Sequence, residues 1–193
     1  MKRDVTNILV AGVGGQGVIL VSDIMADTFL EAGYDVKKSE VHGMAQRGGS
    51  VSSHVRYGKE VHSPIIPKGE ADYLFMTEKL ETLRWLEYCN RSTVILMDPI
   101  EINPPAVNLG EMSYPKDIEE FLKDHFDKVY TINATETALE LGNARAANIV
   151  LLGALSRLLD LDERVWIKCI LDRLPEKLHE LNMEAFKKGR LAI

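Results

Sequence analysis

Apolar residues fall into short continuous runs that alternate with stretches of helical spacing. These runs, together with the segments 35–41 and 50–57, predict six strands, at about 6–11, 35–41, 50–57, 73–76, 94–97 and 129–132. Apolar positions three or four residues apart predict helices at about 15–31, 78–88, 114–126, 135–159, 163–173 and 175–188. This order predicts an α/β fold: a Rossmann-like, mostly parallel sheet with a central first strand and helices on both faces. The C-terminal helices are expected to pack on the same core.

Two segments modify this simple alternation. Residues 50–57 place Ser52, His54 and Arg56 on one side and Val51, Ser53 and Val55 on the other, which predicts a strand with one more polar face. Residues 102–110 contain Pro104 and Pro105 and are expected to be irregular. No internal repeat or linker divides the chain, so residues 1–193 are expected to form a single domain.

The first strand leads into glycines with the spacing GxGxxG, at Gly12, Gly14 and Gly17. Glycine at these places permits a sharp turn, a close approach of the backbone to an anion, and tight packing of the next helix on the sheet. The start of that helix presents unpaired N–H groups and a positive dipole end. The motif therefore favours a phosphate or carboxylate site, although glycines that only form a tight joint remain the alternative.

A second glycine-rich loop, at 42–49, follows the second strand. It is expected at the carboxyl edge of the sheet, where open α/β folds bind ligands. Arg47 offers a planar guanidinium to an anion, and a plain surface loop is the alternative. Together the two loops give the candidate ligand-binding residues Gly12, Gly14, Gly15, Gln16, Gly17, His42, Gln46, Arg47, Gly48 and Gly49.

A third segment, 140–155, combines small residues with the polar insertions Arg145 and Asn148 in an otherwise apolar helix. Buried polar groups need hydrogen-bond partners. These two side chains are therefore expected to tie the helix to a loop or to another subunit, unless they form only its polar edge.

Other chemistry finds little support in the sequence. Glu40, near the end of the second strand, stands where a dinucleotide site needs an acidic residue, but Lys37 and Lys38 weaken that case. Val18 follows the last motif glycine, so the P-loop lysine is missing and P-loop phosphoryl transfer is excluded. The histidines show no metal-ligand spacing, and no nucleophile–base set is recognisable, so no catalytic residue and no metal site are assigned.

Composition limits the protein class further. The net charge is −6 and the chain has no long basic run, which argues against a nucleic-acid binder. No apolar run approaches a bilayer span, and no signal peptide is recognised, so we expect a cytoplasmic protein. Its two cysteines, Cys89 and Cys169, are expected to be buried free thiols, too few to hold an iron–sulfur cluster.

The glycine motif 12–18, the segment 40–51 reading EVHGMAQRGGSV, and the segment 143–148 reading NARAAN together resemble the gamma-type domain of 2-oxoacid:ferredoxin oxidoreductases. The form HGMAQRGG is most similar to that of the small subunits of indolepyruvate-type members. The resemblance extends over nearly the whole chain, and it implies that residues 1–193 are one pyruvate/ketoisovalerate oxidoreductase gamma-type domain.

The resemblance implies an accessory subunit of a complex that oxidatively decarboxylates arylpyruvates to aryl-acetyl-CoA and passes the electrons to ferredoxin. Thiamine diphosphate and iron–sulfur clusters are then expected on a large catalytic partner subunit. Coenzyme A is the ligand that the family would bring near Gly14, Gln16 and Arg47, and a homodimer of the isolated chain stays open. A free-standing dinucleotide-binding dehydrogenase or regulator is the alternative from a different functional class.

Overall fold

The computed structural model describes residues 4–42 and 49–193. Their backbone forms one six-stranded sheet with the order β2-β3-β1-β4-β5-β6. The strands are β1 Val5–Val13, β2 Asp35–His42, β3 Ser50–Gly58, β4 Tyr73–Met76, β5 Val94–Met97 and β6 Lys128–Thr131. All six agree with the predicted positions, and β1 lies inside the sheet as expected.

One strand runs against the others. β4 pairs with β1 in parallel, and β5 and β6 continue in the same direction. β3 is antiparallel to both β1 and β2, so it lies between the two strands that flank the first helix. The mostly parallel α/β sheet is confirmed, with β2 and β3 forming an antiparallel pair at one side.

Helices cover both faces of the sheet, as predicted. They are α1 Val18–Glu31, α2 Lys79–Arg84, α3 Pro105–Asn108, α4 Ile118–His125, α5 Ala134–Glu140, α6 Ala147–Leu158, α7 Glu163–Arg173 and α8 His179–Arg190. Ile8 and Val10 of β1 face a core formed with α1, α6, α7 and α8. The alternate residues Leu9 and Ala11 face a second core formed with α2 and α4. The short α3 lies within the stretch expected to be irregular.

The predicted helix at 135–159 is interrupted near Gly142, and α6 begins after a single 3₁₀ turn at Ala144–Ala146. Behind this start, α6 crosses α8 where Gly153 and Gly189 face each other's helix. A Cβ atom on either glycine would overlap backbone atoms of the opposite helix. This close crossing packs α8 tightly on α6, and both helices contribute to the core on that face of the sheet.

The polar side of β3 is buried rather than exposed. His54 is 2% exposed, and its Nδ1 accepts a hydrogen bond from the Ile66 N–H at 3.1 Å. Arg56 donates to the carbonyl oxygens of Ser63 and Ile65 at 2.9 and 3.1 Å. The loop that follows β3 therefore covers these side chains with backbone acceptors and donors, which the alternation of residues within one strand cannot reveal.

None of the described helices is long and apolar enough to cross a membrane.

The buried His54 predicts a loss of stability in mild acid. Burial, aided by the charge of Arg56, lowers the pKa of His54 below its ordinary value of 6.5. Below about pH 6.5 the unfolded chain gains a proton at this position that the folded chain does not take up. The free energy of unfolding should therefore fall as the pH drops, by up to about 1.4 kcal/mol per pH unit from this group.

Urea unfolding between pH 5 and 8 measures this effect. His54→Asn keeps an acceptor for Ile66 and should flatten the acidic decline, whereas His62→Asn, at an exposed histidine, should leave it unchanged. Equal slopes for the native chain and His54→Asn would contradict the assignment.

Candidate functional site

The glycine motif forms the turn between β1 and α1, and the packing explains why glycine is needed at two of its positions. A Cβ on Gly12 would overlap the Thr77 hydroxyl, and a Cβ on Gly17 would overlap the Asn148 amide nitrogen. Gly17 also adopts φ 79° at the N-cap of α1, a conformation that favours glycine. The Gly14 N–H donates to the Gly49 carbonyl at 2.8 Å. The loop is thus packed tightly from three sides.

The base of the second glycine-rich loop lies directly beside the first. β2 ends at His42, β3 begins at Ser50, and Ser50 pairs with Val13 at the carboxyl end of β1. Together with the bond from Gly14 to Gly49, this confirms that the 42–49 segment starts and ends at the expected edge of the sheet.

Part of the predicted site lies outside the described residues. This part consists of Gln46, Arg47, Gly48 and the side chain of His42. Their contribution to the site remains a prediction. Gly12, Gly14, Gly15, Gln16, Gly17 and Gly49 do come together at the sheet edge.

Gln16 fastens the glycine loop to the end of β4. Its Oε1 accepts from the Val13 N–H and from the Thr77 hydroxyl, both at 2.8 Å. Its Nε2 donates to the Thr77 carbonyl at 2.7 Å. Three hydrogen bonds therefore occupy most of this amide inside the chain and hold the glycine loop in place.

Two cavities flank the glycine loop. The first, of about 450 Å³, is lined by Gly14, Gly15, Val18, Ile19 and Val51 among others, and lies on the β3 side. The second, of about 360 Å³, lies between the loop, the ends of β4 and β5, and the start of α6. We call the second one the α6 cavity. Its lining residues are Gly15, Gln16, Gly17, Leu20, Thr77, Asp98, Ile100, Ile102, Thr135, Ala144, Arg145, Ala147, Asn148 and Leu151.

The third sequence segment meets the glycine loop at the α6 cavity. The Asn148 Nδ2 donates to the Gly17 carbonyl at 3.2 Å, although 131 positions separate the two residues. Asn148 is 2% exposed, and its Oδ1 has no hydrogen-bond partner among the described residues. Arg145 is exposed beside it. Asn148 therefore ties α6 to a loop of the same chain, one of the two expected arrangements.

Residues after β4 and β5 also belong to the site, and the sequence reasoning missed them. Asp98 is 2% exposed and accepts from both the Thr135 N–H, at 2.9 Å, and the Thr135 hydroxyl. Burial raises the pKa of Asp98, while these hydrogen bonds oppose the increase. Their position in the sequence could have identified these residues, because polar residues that directly follow buried parallel strands meet at one edge of the sheet.

Glu78 stabilises the wall of the α6 cavity that residues 100–102 form. It is 1% exposed, and its Oε1 accepts from the Tyr114 hydroxyl at 2.7 Å and from the Ile102 N–H at 3.1 Å. The Lys79 N–H donates to the Ile100 carbonyl at 3.2 Å. These bonds set the position of the segment 100–102, which forms one wall of the cavity.

The sheet order argues against a dinucleotide site based on Glu40. β3 separates β2 from β1, so Glu40, paired with Ser53, lies two strands or about 10 Å from the strand that carries the glycine loop. Glu40 also forms an ion pair with Lys38. The acidic residue and the glycine loop therefore lack the adjacency that ribose binding in such sites requires.

Neither cysteine is placed for reactivity or metal binding. Cys89 is half-buried and Cys169 is buried, and both are free thiols. Burial raises the pKa of Cys89 to about 12 and also raises that of Cys169, so both resist forming the nucleophilic thiolate. Among residues 4–42 and 49–193, no group of three or more metal-binding side chains occurs.

The hydrogen bonds of Gln16 predict a measurable effect on stability. Gln16→Ala leaves the buried Val13 N–H without its acceptor and should lower the free energy of unfolding by about 1–3 kcal/mol. Leu30→Ala, at a residue of α1 that is 55% exposed, should change it by no more than about 0.5 kcal/mol. Denaturant unfolding compares the two variants, and equal losses would show that Gln16 does not secure the loop.

Comparisons with known proteins agree with this architecture. Residues 7–192 match the family model described as pyruvate ferredoxin/flavodoxin oxidoreductase. A relative from Archaeoglobus fulgidus, named indolepyruvate oxidoreductase subunit IorB, is 38% identical over 188 residues, which cover 95% of this chain and 92% of the relative.

Two solved structures share the fold. A keto/oxoacid ferredoxin oxidoreductase gamma subunit from Geobacter sulfurreducens matches with a TM-score of 0.72 at 26% identity, over 97% of both chains. The second is a 2-oxoglutarate:ferredoxin oxidoreductase from Magnetococcus marinus, solved with 2-oxoglutarate, coenzyme A and succinyl-CoA. It matches with a TM-score of 0.79 at 24% identity, over 99% of this chain and 31% of that one. The chain belongs to the pyruvate ferredoxin/flavodoxin oxidoreductase family.

Proposed function

We propose that this chain is the small subunit of an indolepyruvate-type 2-oxoacid:ferredoxin oxidoreductase. The observation that carries the proposal is the end-to-end match to a protein named as that subunit, 38% identical across 95% of this chain. The complex would oxidatively decarboxylate an arylpyruvate to the aryl-acetyl-CoA and pass the electrons to ferredoxin. A free-standing dinucleotide-binding dehydrogenase has no support, because the relatives are subunits of oxidoreductase complexes and Glu40 lies away from the glycine loop.

The chemistry would be divided between two chains. We propose that a large partner subunit carries the thiamine diphosphate, which stabilises the carbanion formed on decarboxylation, and the iron–sulfur clusters. The two free cysteines of this chain support that division, since a cluster commonly requires four thiolates. Unpaired thiols also agree with a reducing cytoplasm. The isolated chain, as one gamma-type domain over residues 1–193, would then be inactive and free to form a homodimer.

The carboxyl edge of the sheet is the proposed functional face. α1 has no acidic residue in its first turn and no side-chain N-cap, so its positive end is left uncompensated. Arg47, in the adjoining loop, would add a full positive charge. We propose that this edge contacts the phosphate groups of coenzyme A and meets the partner subunit. The coenzyme bound to the Magnetococcus marinus enzyme supports this choice of ligand.

Purification from native cells tests the assignment as a subunit. A tagged chain should recover a larger polypeptide together with iron and thiamine diphosphate, and the complex should reduce ferredoxin with indolepyruvate and coenzyme A. The same chain produced alone is the control and should contain neither cofactor. Stoichiometric iron in the chain produced alone, or activity without a partner, would contradict the division of chemistry between two subunits.

Arg47→Ala tests the proposed face in the assembled complex. Loss of a charge-assisted hydrogen bond to the ligand should raise the apparent KM for coenzyme A by about ten- to a hundredfold, or weaken assembly. The free energy of unfolding should change by at most about 0.5 kcal/mol. Arg157→Ala, at an exposed arginine near the far end of α6, is the matched control. Unchanged kinetics and assembly would remove Arg47 from the site.

A further inference from the structure

One edge of the sheet is a long strand that is paired on one side only, within the part of the chain that the structure describes. β2 is the outermost strand of the sheet, and all eight of its residues pair with β3. β6, at the opposite edge, is only four residues long. The outward N–H and C=O groups of an edge strand are a template for pairing with another strand. The edge of β2 is therefore the one that best fits an added strand.

β2 lacks most of the features that block such pairing. It contains no proline, and its register with β3 continues over the whole strand without a bulge. Lysines commonly protect an edge, but both lysines of β2 form ion pairs within the chain. Lys37 contacts Asp35 at 2.6 Å, and Lys38 contacts both Glu40 and Asp23 of α1. The lysines are thus held against their own chain and leave the backbone edge accessible.

A second copy of the chain is the occupant that fits the order of charges along β2. The two-fold axis that makes two edge strands antiparallel stands perpendicular to the sheet, so each face of the sheet stays on its own side. Because side chains alternate between the faces, one residue then lies opposite its own copy. Residues equally far before and after it lie opposite each other. Five or more residues of β2 pair in this way only if the central residue is 37, 38, 39 or 40.

Charge selects one of these four registers. A centre at Lys37, Lys38 or Glu40 places two like charges directly opposite each other, which destabilises a strand pair. A centre at Ser39 places a small neutral residue on the axis and sets Lys38 of each copy opposite Glu40 of the other. It also sets Lys37 opposite Val41, which is 53% exposed and can be covered by the methylene stem of the lysine. Residues 36–42 of both copies are paired in this register.

We propose that two copies of this chain associate through the edges of their β2 strands, with Ser39 at the two-fold axis, and form one continuous sheet. This inference goes beyond the proposed function, because it concerns the contact between two copies and not the reaction. A contact made by one strand from each side is small, so the dimer is expected to be weak. A strand of the proposed catalytic partner subunit is the competing occupant of the same edge.

Sedimentation of the full chain over a range of concentrations tests the association. The native chain should approach twice the monomer mass as the concentration rises. Lys38→Glu places glutamates opposite each other in both cross-strand pairs and should weaken the dimer by about tenfold. The double variant Lys38→Glu with Glu40→Lys exchanges the two charges and should restore most of the association. Lys123→Glu, at an exposed lysine of α4, makes the same change in net charge away from β2 and should leave the dimer unchanged.

Cysteine cross-linking measures the register. The two copies of residue 39 lie opposite each other, so Ser39→Cys should give a disulfide-linked dimer on mild oxidation. The two copies of residue 41 are four residue rises apart along the strand, about 14 Å, so Val41→Cys should not be linked. The native chain, whose Cys89 and Cys169 are at least half-buried, is the control and should also remain unlinked.

Several results would overturn the proposal. They are a chain that stays monomeric at millimolar concentration, full association of Lys38→Glu, no recovery in the charge-exchanged variant, and linkage of Val41→Cys in place of Ser39→Cys. If the chain alone is monomeric and Lys38→Glu lowers the recovery of the large subunit, the edge belongs to the partner and the proposal is wrong. The subunit assignment is judged separately, by co-purification of the partner with the native chain.

Discussion

The position at which the chain leaves β1 depends on a small set of hydrogen bonds around Gln16. This side chain joins the backbone of Val13 to both the hydroxyl and the carbonyl of Thr77. The glycine loop is therefore hydrogen-bonded to the end of β4. Gly12 has no room for a Cβ because Thr77 stands against it. This arrangement helps to determine the shape of both flanking cavities, because Gly15 and Gly17 line each of them.

The carboxyl edge combines that rigidity with an imbalance of charge. The first turn of α1 lacks an acidic residue and a side-chain cap, whereas α2 is capped by Glu78, α7 by Asp162, and the 3₁₀ turn that leads into α6 by Asn143. The exposed Arg145 adds a positive charge at the same edge. An anion bound at this edge would replace the missing cap of α1, which is the physical basis for proposing ligand binding there.

Much of the fold followed from the sequence because β1, β4 and β5 are short, largely apolar runs bounded by turn residues. The direction of β3 did not, since alternation identifies the faces of a strand and not its neighbours. The burial of His54 was also hidden, because it depends on the loop that carries Ile66. The glycine loop was recognisable as a local motif. Thr77 and Asp98 became visible as site residues only once β4 and β5 were paired beside β1.

The side chains at this edge divide into those that hold the backbone and those that are left to meet a ligand. Gln16, Glu78 and Thr135 direct their hydrogen bonds into the chain, and the thiols lie apart with pKa values raised by burial. Among the described residues, the groups that remain are backbone amides, the Arg145 guanidinium and the Asn148 carbonyl oxygen. Such groups orient and bind, but they neither transfer electrons nor act as nucleophiles. This set of groups agrees with the proposed role of a subunit that helps to place a ligand, in a complex whose redox chemistry we assign to the partner.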